Sequence, residues 1–159
     1  MELLLKSKTS IALLILSIAM LLSCGKGRVF EEHQKLPDYD WNRFDNIIFE
    51  ADIEDADASY NIFIAIRHIT NYPFKNLLVT SIMTTPGGEE RFLDHELKIR
   101  DDNGKPLGNG MGDIWDINIP IRKNFRFNMP GRLIIEFENR MPRPVTPGIM
   151  EVGLIIEKV

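Results

Sequence analysis

Between Tyr60 and Ile69 the chain is apolar on both of its alternating sets of positions. Tyr60, Ile62, Ile64 and Ile66 share one face of an extended segment, and Phe63, Ala65 and Ile69 share the other. A strand with two apolar faces belongs in the middle of a sheet. Its isoleucines favour a pleated backbone over a helix. Asn71-Tyr72-Pro73 ends the run, because proline brings no N–H to a ladder. A central strand needs neighbours on both sides, so the rest of the chain has to supply extended structure around it.

That structure is legible as short period-two runs broken by turn residues. Val29 to Leu36, Asn46 to Ile53, Leu77 to Thr85, Arg91 to Ile99, Ile114 to Ile121, Arg132 to Glu138 and Glu151 to Val159 are the remaining strands. Leu93, His95, Leu97 and Ile99 share a face, as do Leu133, Ile135 and Phe137, and Val152, Leu154 and Ile156. Pro86-Gly87-Gly88 and Asp101-Asp102-Asn103-Gly104 read as turns. No segment sustains a helical period over three turns, and Asp101 to Asp113 is too rich in glycine to try. The pattern predicts an all-β fold, an antiparallel β-sandwich of about eight short strands, with a closed barrel as the alternative. A membrane barrel fits poorly. Its strands need a polar lumen face and about 9 to 11 residues, and Ile62 to Ile66 has no polar face.

The N-terminus carries a different signal. Lys6 and Lys8 precede an almost unbroken aliphatic run from Ile11 to Leu22, and Leu21-Leu22-Ser23-Cys24 closes it. A basic start, a short apolar run and a small residue before the cut are the layout of a secretory leader. The run is too short to span a bilayer as a helix, which takes roughly 20 apolar residues. The Leu-Leu-Ser-Cys ending resembles the lipobox of bacterial lipoproteins. The resemblance implies cleavage before Cys24, diacylglycerol on its thiol, and a further acyl chain such as palmitate on the new amino group. Residues 1–23 are then a leader, 24–28 a lipidated tether and 29–159 a single domain. Cys24 is the only cysteine. Once lipidated it leaves the fold no disulfide, so the core alone must hold the domain together.

Charge narrows the partners. The whole chain has a formal net charge of −4, and loss of Glu2, Lys6 and Lys8 with the leader makes the balance one unit more acidic. An acidic domain lacks the positive footprint that nucleic acid demands. Attachment to lipid is expected through acylated Cys24 rather than through the domain surface.

Catalytic and metal chemistry find little support. His33, His68 and His95 fall on separate strands without the spacing of a metal site, although His68 and His95 meet if their strands pair. Asp101-Asp102-Asn103-Gly104 lacks the ligand spacing of an EF-hand loop, and Gly112 stands where the closing glutamate belongs. Gly108-Asn109-Gly110-Met111-Gly112 has the wrong spacing for a dinucleotide loop and precedes a strand rather than a helix. Ser59 and Ser81 have no visible base or orienting acid, and no carboxylate pair stands out. The reading is a protein that is not an enzyme, with no catalytic residue, metal, cofactor or small-molecule substrate.

Aromatic residues beside turns are the remaining candidates. Tyr39, Trp41 and Phe44 follow Pro37, Tyr72 and Phe74 flank Pro73, and Trp115 lies between Asp113 and Asp116. Aromatics in loops are enriched at interaction surfaces, and Tyr39, Trp41, Tyr72, Phe74, Asp113, Trp115 and Asp116 are the seven candidate partner contacts. The alternative is that the aromatics cap the ends of the sandwich core.

Several segments together resemble the gliding motility lipoprotein GldH family of Bacteroidota. They are Leu36 to Trp41, Tyr60 to His68, Tyr72 to Asn76, the Gly108-Asn109-Gly110-Met111-Gly112-Asp113-Ile114-Trp115-Asp116 stretch, and Pro147 to Lys158. With the lipobox they cover nearly the whole chain. The resemblance implies a cell-envelope lipoprotein of the gliding machinery and the linked type IX secretion system, acting through contacts with other envelope proteins. It carries over no site residue except Cys24. Gly25-Lys26-Gly27-Arg28 is basic rather than acidic, which points to an outer-membrane anchor with the domain facing the periplasm. The competing expectation is a carbohydrate-binding or hydrolytic envelope lipoprotein using Trp41 and Trp115.

Overall fold

The structure, a computed structural model, describes residues 27–159. The expected leader and Cys24 lie outside the described residues. The strands are β1 (Arg28–Lys35), β2 (Asp40–Asn42), β3 (Ile47–Ile53), β4 (Tyr60–Ile69), β5 (Asn76–Thr84), β6 (Glu90–Lys98), β7 (Asn109–Met111), β8 (Ile114–Phe125), β9 (Gly131–Asn139), β10 (Val145–Pro147) and β11 (Ile149–Lys158). A 3-10 turn at Pro37–Tyr39 separates β1 from β2.

All eight expected strands are present. The further three, β2, β7 and β10, have three residues each. A run that short shows no readable alternation; it is extended because a neighbour pairs with it. The Gly108 to Gly112 stretch is accordingly half of a hairpin and not a simple loop. Met111 lies opposite Ile114 across a turn of Gly112 and Asp113. Gly112 takes φ +62° there, a conformation most side chains resist.

Two sheets face each other. One has the order β1-β11-β4-β8-β7 and the other β3-β9-β5-β6, while β2 and β10 form a separate ribbon. Every pairing is antiparallel. The structure is the expected all-β, antiparallel sandwich. The central place expected for β4 holds, since it lies between β11 and β8. Ile64 sits opposite Leu154 and Ile119, and Ile66 opposite Val152 and Ile117.

Ile62, Ile64 and Ile66, with Val152, Leu154 and Ile156, form one wall of the core. Ile47, Phe49, Leu77, Leu133, Ile135 and Phe137 form the other, and all of these are buried. Each such side chain stabilises the fold by about 1.5–3 kcal/mol relative to exposure. Phe49 and Phe137 meet edge to face at 6.1 Å. Among the described residues, the outward set of β4 has no second layer over it. Phe63 lies between Ile155 and Pro120, half-buried, and Ala65 lies between Gly153 and Asn118.

β4 also defines two poles. At one, Tyr60 lies opposite Lys158 and Phe125, and the Lys158 N–H donates to Gly27 O at 2.6 Å. At the other, Ile69 lies opposite Ile114, and the Leu36 N–H donates to Met150 O at 2.9 Å. The ten residues of β4 separate the poles by about 30 Å.

A candidate docking pole

All seven residues singled out in the sequence gather at the second pole, because the loops that carry them leave or enter the same end of the sandwich. The Gly148 N–H donates to Tyr39 O at 2.7 Å, the Ile69 N–H to Gly148 O at 3.1 Å, and the Thr70 N–H to Asp113 O at 2.8 Å. These three bonds tie the Pro37–Tyr39 turn, the start of β11, the end of β4 and the β7–β8 turn into one surface. Asp38 and Tyr39 hold φ values of 54° and 61°, in the left-handed region that costs a side-chain-bearing residue energy.

The structure then divides the seven. Tyr39 is 51% exposed, and Asp113 and Asp116 are exposed. Phe74 and Trp115 are half-buried. Trp41 and Tyr72 are 0% exposed and belong to the core. Their position beside prolines suggested loop aromatics, but their rings turn inward and plug the end of the sandwich. Trp41 Nε1–H donates to Asp45 O at 2.9 Å, and the Tyr72 hydroxyl donates to Asn76 O at 3.2 Å. Burial pushes the Tyr72 hydroxyl pKa above its ordinary value.

Trp115 is clamped. Its Nε1–H donates to Thr70 Oγ1 at 2.9 Å. Gly110, its cross-strand partner, lies flat against the indole, and a Cβ there would stand 2.6 Å from ring carbons. Only glycine permits that approach. Phe74 meets Tyr72 edge-on at 5.6 Å, and the Arg143 guanidinium lies 5.6 Å from its ring centre. Asp116 receives two hydrogen bonds from Arg67, at 2.8 and 3.2 Å, and Arg67 also reaches Glu151 at 3.1 Å. The hydrogen bond to Asp116 raises the Arg67 pKa against the opposing pull of desolvation. Half-exposed pairs of this kind stabilise by about 0–1 kcal/mol, so their main role is to fix side-chain direction.

Further residues shape this pole, of which Asn139 and Arg100 carried no sequence signal. Asn139 is 1% exposed; its amide donates to Trp41 O at 2.8 Å and to Thr146 Oγ1 at 2.9 Å, and its carbonyl accepts from Met141 N–H at 3.0 Å. It bolts the β2–β10 ribbon to the sandwich. Phe44 and Met111 are 85% and 87% exposed. Arg100 donates to Thr70 O and to Gly104 O, stitching the loop after β6 onto the end of β4. His68 is fully buried, with Nδ1 at 3.0 Å from Ile69 O. A carbonyl only accepts, so Nδ1 carries the proton in the neutral ring. Burial lowers the His68 pKa, which keeps the ring neutral.

The three histidines do not assemble. His68 is in the β4 sheet and His95 in the β6 sheet, so their strands do not pair, and His33 contacts Glu31 at 3.1 Å on β1. Among the described residues, no group of three or more His, Cys, Asp or Glu is placed to hold a metal ion. Ser81, read from sequence as lacking a base, does meet one: its Oγ lies 2.7 Å from His95 Nε2 across β5 and β6. Asp94, next to His95 in sequence, points to the other face of the sheet and accepts from Thr80 Oγ1 at 2.5 Å. It does not orient the imidazole. The Asp101 carboxylate accepts the Asn103 and Lys105 N–H groups at 2.9 and 2.8 Å and so organises a turn.

Comparison with known proteins gives this surface a context. The chain is 28% identical over 160 residues to the gliding motility lipoprotein GldH homolog of Christiangramia forsetii, covering 96% of this chain and 98% of that protein. It is 28% identical over 151 residues to gliding motility lipoprotein GldH of Flavobacterium johnsoniae, covering 92% and 94%. Among solved structures, it resembles TmCBM61 in complex with beta-1,4-galactotriose at a TM-score of 0.34 and 16% identity, over 80% of this chain and 68% of that one. A likeness of that size carries no argument about ligands. The family model of the GldH lipoprotein matches residues 28–156, from the first strand almost to the end of the last, and the chain belongs to that family.

Proposed function

We propose that this chain is a lipid-anchored, non-catalytic envelope protein serving the gliding machinery and its linked type IX secretion system. It is held in the outer membrane by acylated Cys24, faces the periplasm, and docks on other envelope proteins through the pole that carries Tyr39, Phe74, Asp113, Trp115 and Asp116. The names of its relatives as gliding motility lipoproteins support the cellular setting. One observation carries the mechanical part: the chain enters β1 at Arg28, at the pole opposite those side chains.

The physical argument is one of reach. Only Gly25, Lys26 and Gly27 separate Cys24 from β1. An extended chain spans at most about 3.6 Å per residue, so a lipid on Cys24 keeps the Arg28 pole close to the bilayer. The aromatic pole then projects about 30 Å outward, within reach of partners that rise above the membrane. Two or more acyl chains make such an anchor stable. Confinement to a surface raises the effective concentration of the domain beside membrane-bound partners without any new contact.

Asp52, Glu54 and Asp55 line a cavity at the near pole together with Val29, Tyr60 and Lys158, and the same end carries Arg28, Arg126 and Arg132, so its charges are mixed and the attachment rests on the lipid tail. The competing sugar-binding expectation is weakened at its centre, since Trp41 is buried.

The test uses the full chain in native membranes. Cys24→Ala should release a folded protein from the membrane fraction and abolish function. Full function from that variant refutes the anchor. A photocrosslinking residue in place of Tyr39 should capture envelope proteins that the same residue in place of Asp57 does not. Digestion of the domain by protease added to intact cells overturns the periplasmic placement.

A further inference from the structure

One edge of the sandwich is built differently from the others. β6 has nine residues, pairs among the described residues only with β5, and runs in unbroken register from Glu90 to Lys98. An unpaired edge strand offers a row of free backbone groups, and proteins blunt such edges with bulges, prolines, charged side chains or short length. Two of the other long edges are broken. β1 carries a register break between Arg28 and Phe30. The unpaired part of β8 contains two breaks and Pro120. β3 also runs in unbroken register but is two residues shorter, and its outward Glu50 is already paired with Arg132 at 3.1 Å.

β6 has no bulge or proline and is not short; what guards it is charge. Its outward side chains are Glu90, Phe92, Asp94, Glu96 and Lys98. Phe92 is 64% exposed and continues an apolar line through Ile82 of β5. Lys98 faces Asp102 at 3.4 Å. Glu90, Asp94 and Glu96 have no cation within ion-pair distance among the described residues; Asp94 and Glu96 accept only from Thr80 and Asn76. Beside Asp94 and Glu96 opens a cavity of about 300 Å³ lined by Leu78, Val79 and His95, with Arg140 at its side and paired to Glu138. An apolar floor under two carboxylates suits a lysine or arginine, which buries its stem and keeps its charged head among acceptors.

The pattern also disfavours a second copy. A two-fold pairing of β6 with itself keeps equivalent faces together. Registers centred on Phe92, Leu93 or His95 then set Glu90 against Asp94, Glu90 against Glu96, or Asp94 against Glu96; the register centred on Asp94 sets Asp94 against itself, with Glu90 against Lys98 on either side. Like charges directly opposite destabilise a sheet.

We propose that β6 accepts a strand from a partner protein, with basic residues opposite Glu90, Asp94 and Glu96 and an apolar residue opposite Phe92. The backbone ladder supplies affinity and the alternate side chains supply specificity. The inference rests on the docking reading above and adds to it a second contact, on the flank of the domain rather than at its far pole.

The experiment uses the full chain in lipid nanodiscs and two synthetic peptides, KTKTVTK and its acidic counterpart ETETVTE. The readout is hydrogen exchange at the β6 amides. KTKTVTK at ten times its Kd should slow that exchange about tenfold, and ETETVTE should not. In the Glu90→Lys/Glu96→Lys variant the preference should reverse, and Asp94→Lys gives a second check at a separate position. Equal protection by both peptides, protection by neither, or protection without peptide that grows with protein concentration overturns the proposal. The last outcome identifies a second copy as the occupant. Hydrogen exchange at β6 reads the folded domain and can be repeated on the full-length Cys24→Ala chain in solution, so it stays informative if the Cys24→Ala or Tyr39 experiments fail, and the reverse holds too.

Discussion

At the pole where β1 starts, Tyr60 meets Phe127 edge-on at 5.5 Å, Phe127 meets Phe125 at 4.9 Å, and Arg91 lies 5.1 Å from the Phe125 ring centre. At the opposite pole, Trp41 and Tyr72 plug the core through hydrogen bonds to backbone carbonyls, and Asn139 ties the surrounding ribbon down. Both poles close the open end of a sandwich. The first does it with edge-to-face rings, Tyr60 among them with its hydroxyl donating to Asp55 O at 2.6 Å, and the rings without a polar partner tolerate exchange for another apolar side chain of similar size. The second relies on more such buried polar groups, each with a specific partner, and these tolerate little. A surface meant to present Tyr39, Met111 and Phe44 in fixed positions needs the second kind of closure.

The sharpest way to break this comparison is Trp41→Ala, which should cost about 3–5 kcal/mol in chemical denaturation. Trp41→Phe keeps most of the volume and so isolates the hydrogen bond to Asp45. If it behaves like the wild type, the polar closure is not what matters. Asn139→Leu comes next. It orphans Trp41 O, Thr146 Oγ1 and the Met141 N–H, and should cost about 2–3 kcal/mol. Gly110→Ala should cost about 1–3 kcal/mol by overpacking and should shift the Trp115 indole N–H resonance while leaving that of Trp41 in place. An unshifted Trp115 resonance would remove the clamp from the argument.

A pH titration separates the poles further. Burial depresses the pKa of His68 below its unfolded value of 6.5, so the unfolded chain takes up a proton more readily. Stability is then complete above about pH 6.5 and falls as the pH drops from there toward the folded pKa. Burial gives His95 the same direction. The slope between pH 5 and 6.5 should flatten in a His68→Gln/His95→Gln variant, measured as denaturation midpoint against pH. The smallest effect is expected at the near pole. Lys158→Ala removes a 2.7 Å pair with Asp55 between two exposed groups, and should leave the midpoint essentially unchanged.

The strands were legible because period-two alternation is a local consequence of burying one face, and Tyr60 to Ile69 shows it over its full length. β2, β7 and β10 were not, since a three-residue strand is extended only because its partner is. Leu93, His95, Leu97 and Ile99 were correctly placed on one face, but the sequence could not place His95 against Ser81, which depends on the register of β5 with β6. The gathering of the seven candidate residues at one pole was partly foreseeable from alternating strand direction. Their division into exposed and buried was not, because Trp41 and Tyr39 sit two residues apart and face opposite environments.

By itself the sequence determined the all-β class, the eight main strands, and the membership of the chain in its family, because each is written in local periodicity or in contiguous motifs. The tertiary structure alone decided which aromatics plug the core, which edge stays open, and that the entry of the chain and the signature loops stand at opposite ends. Those follow from which strands pair and in what register, and pairing is set by the joint burial of residues far apart in the chain.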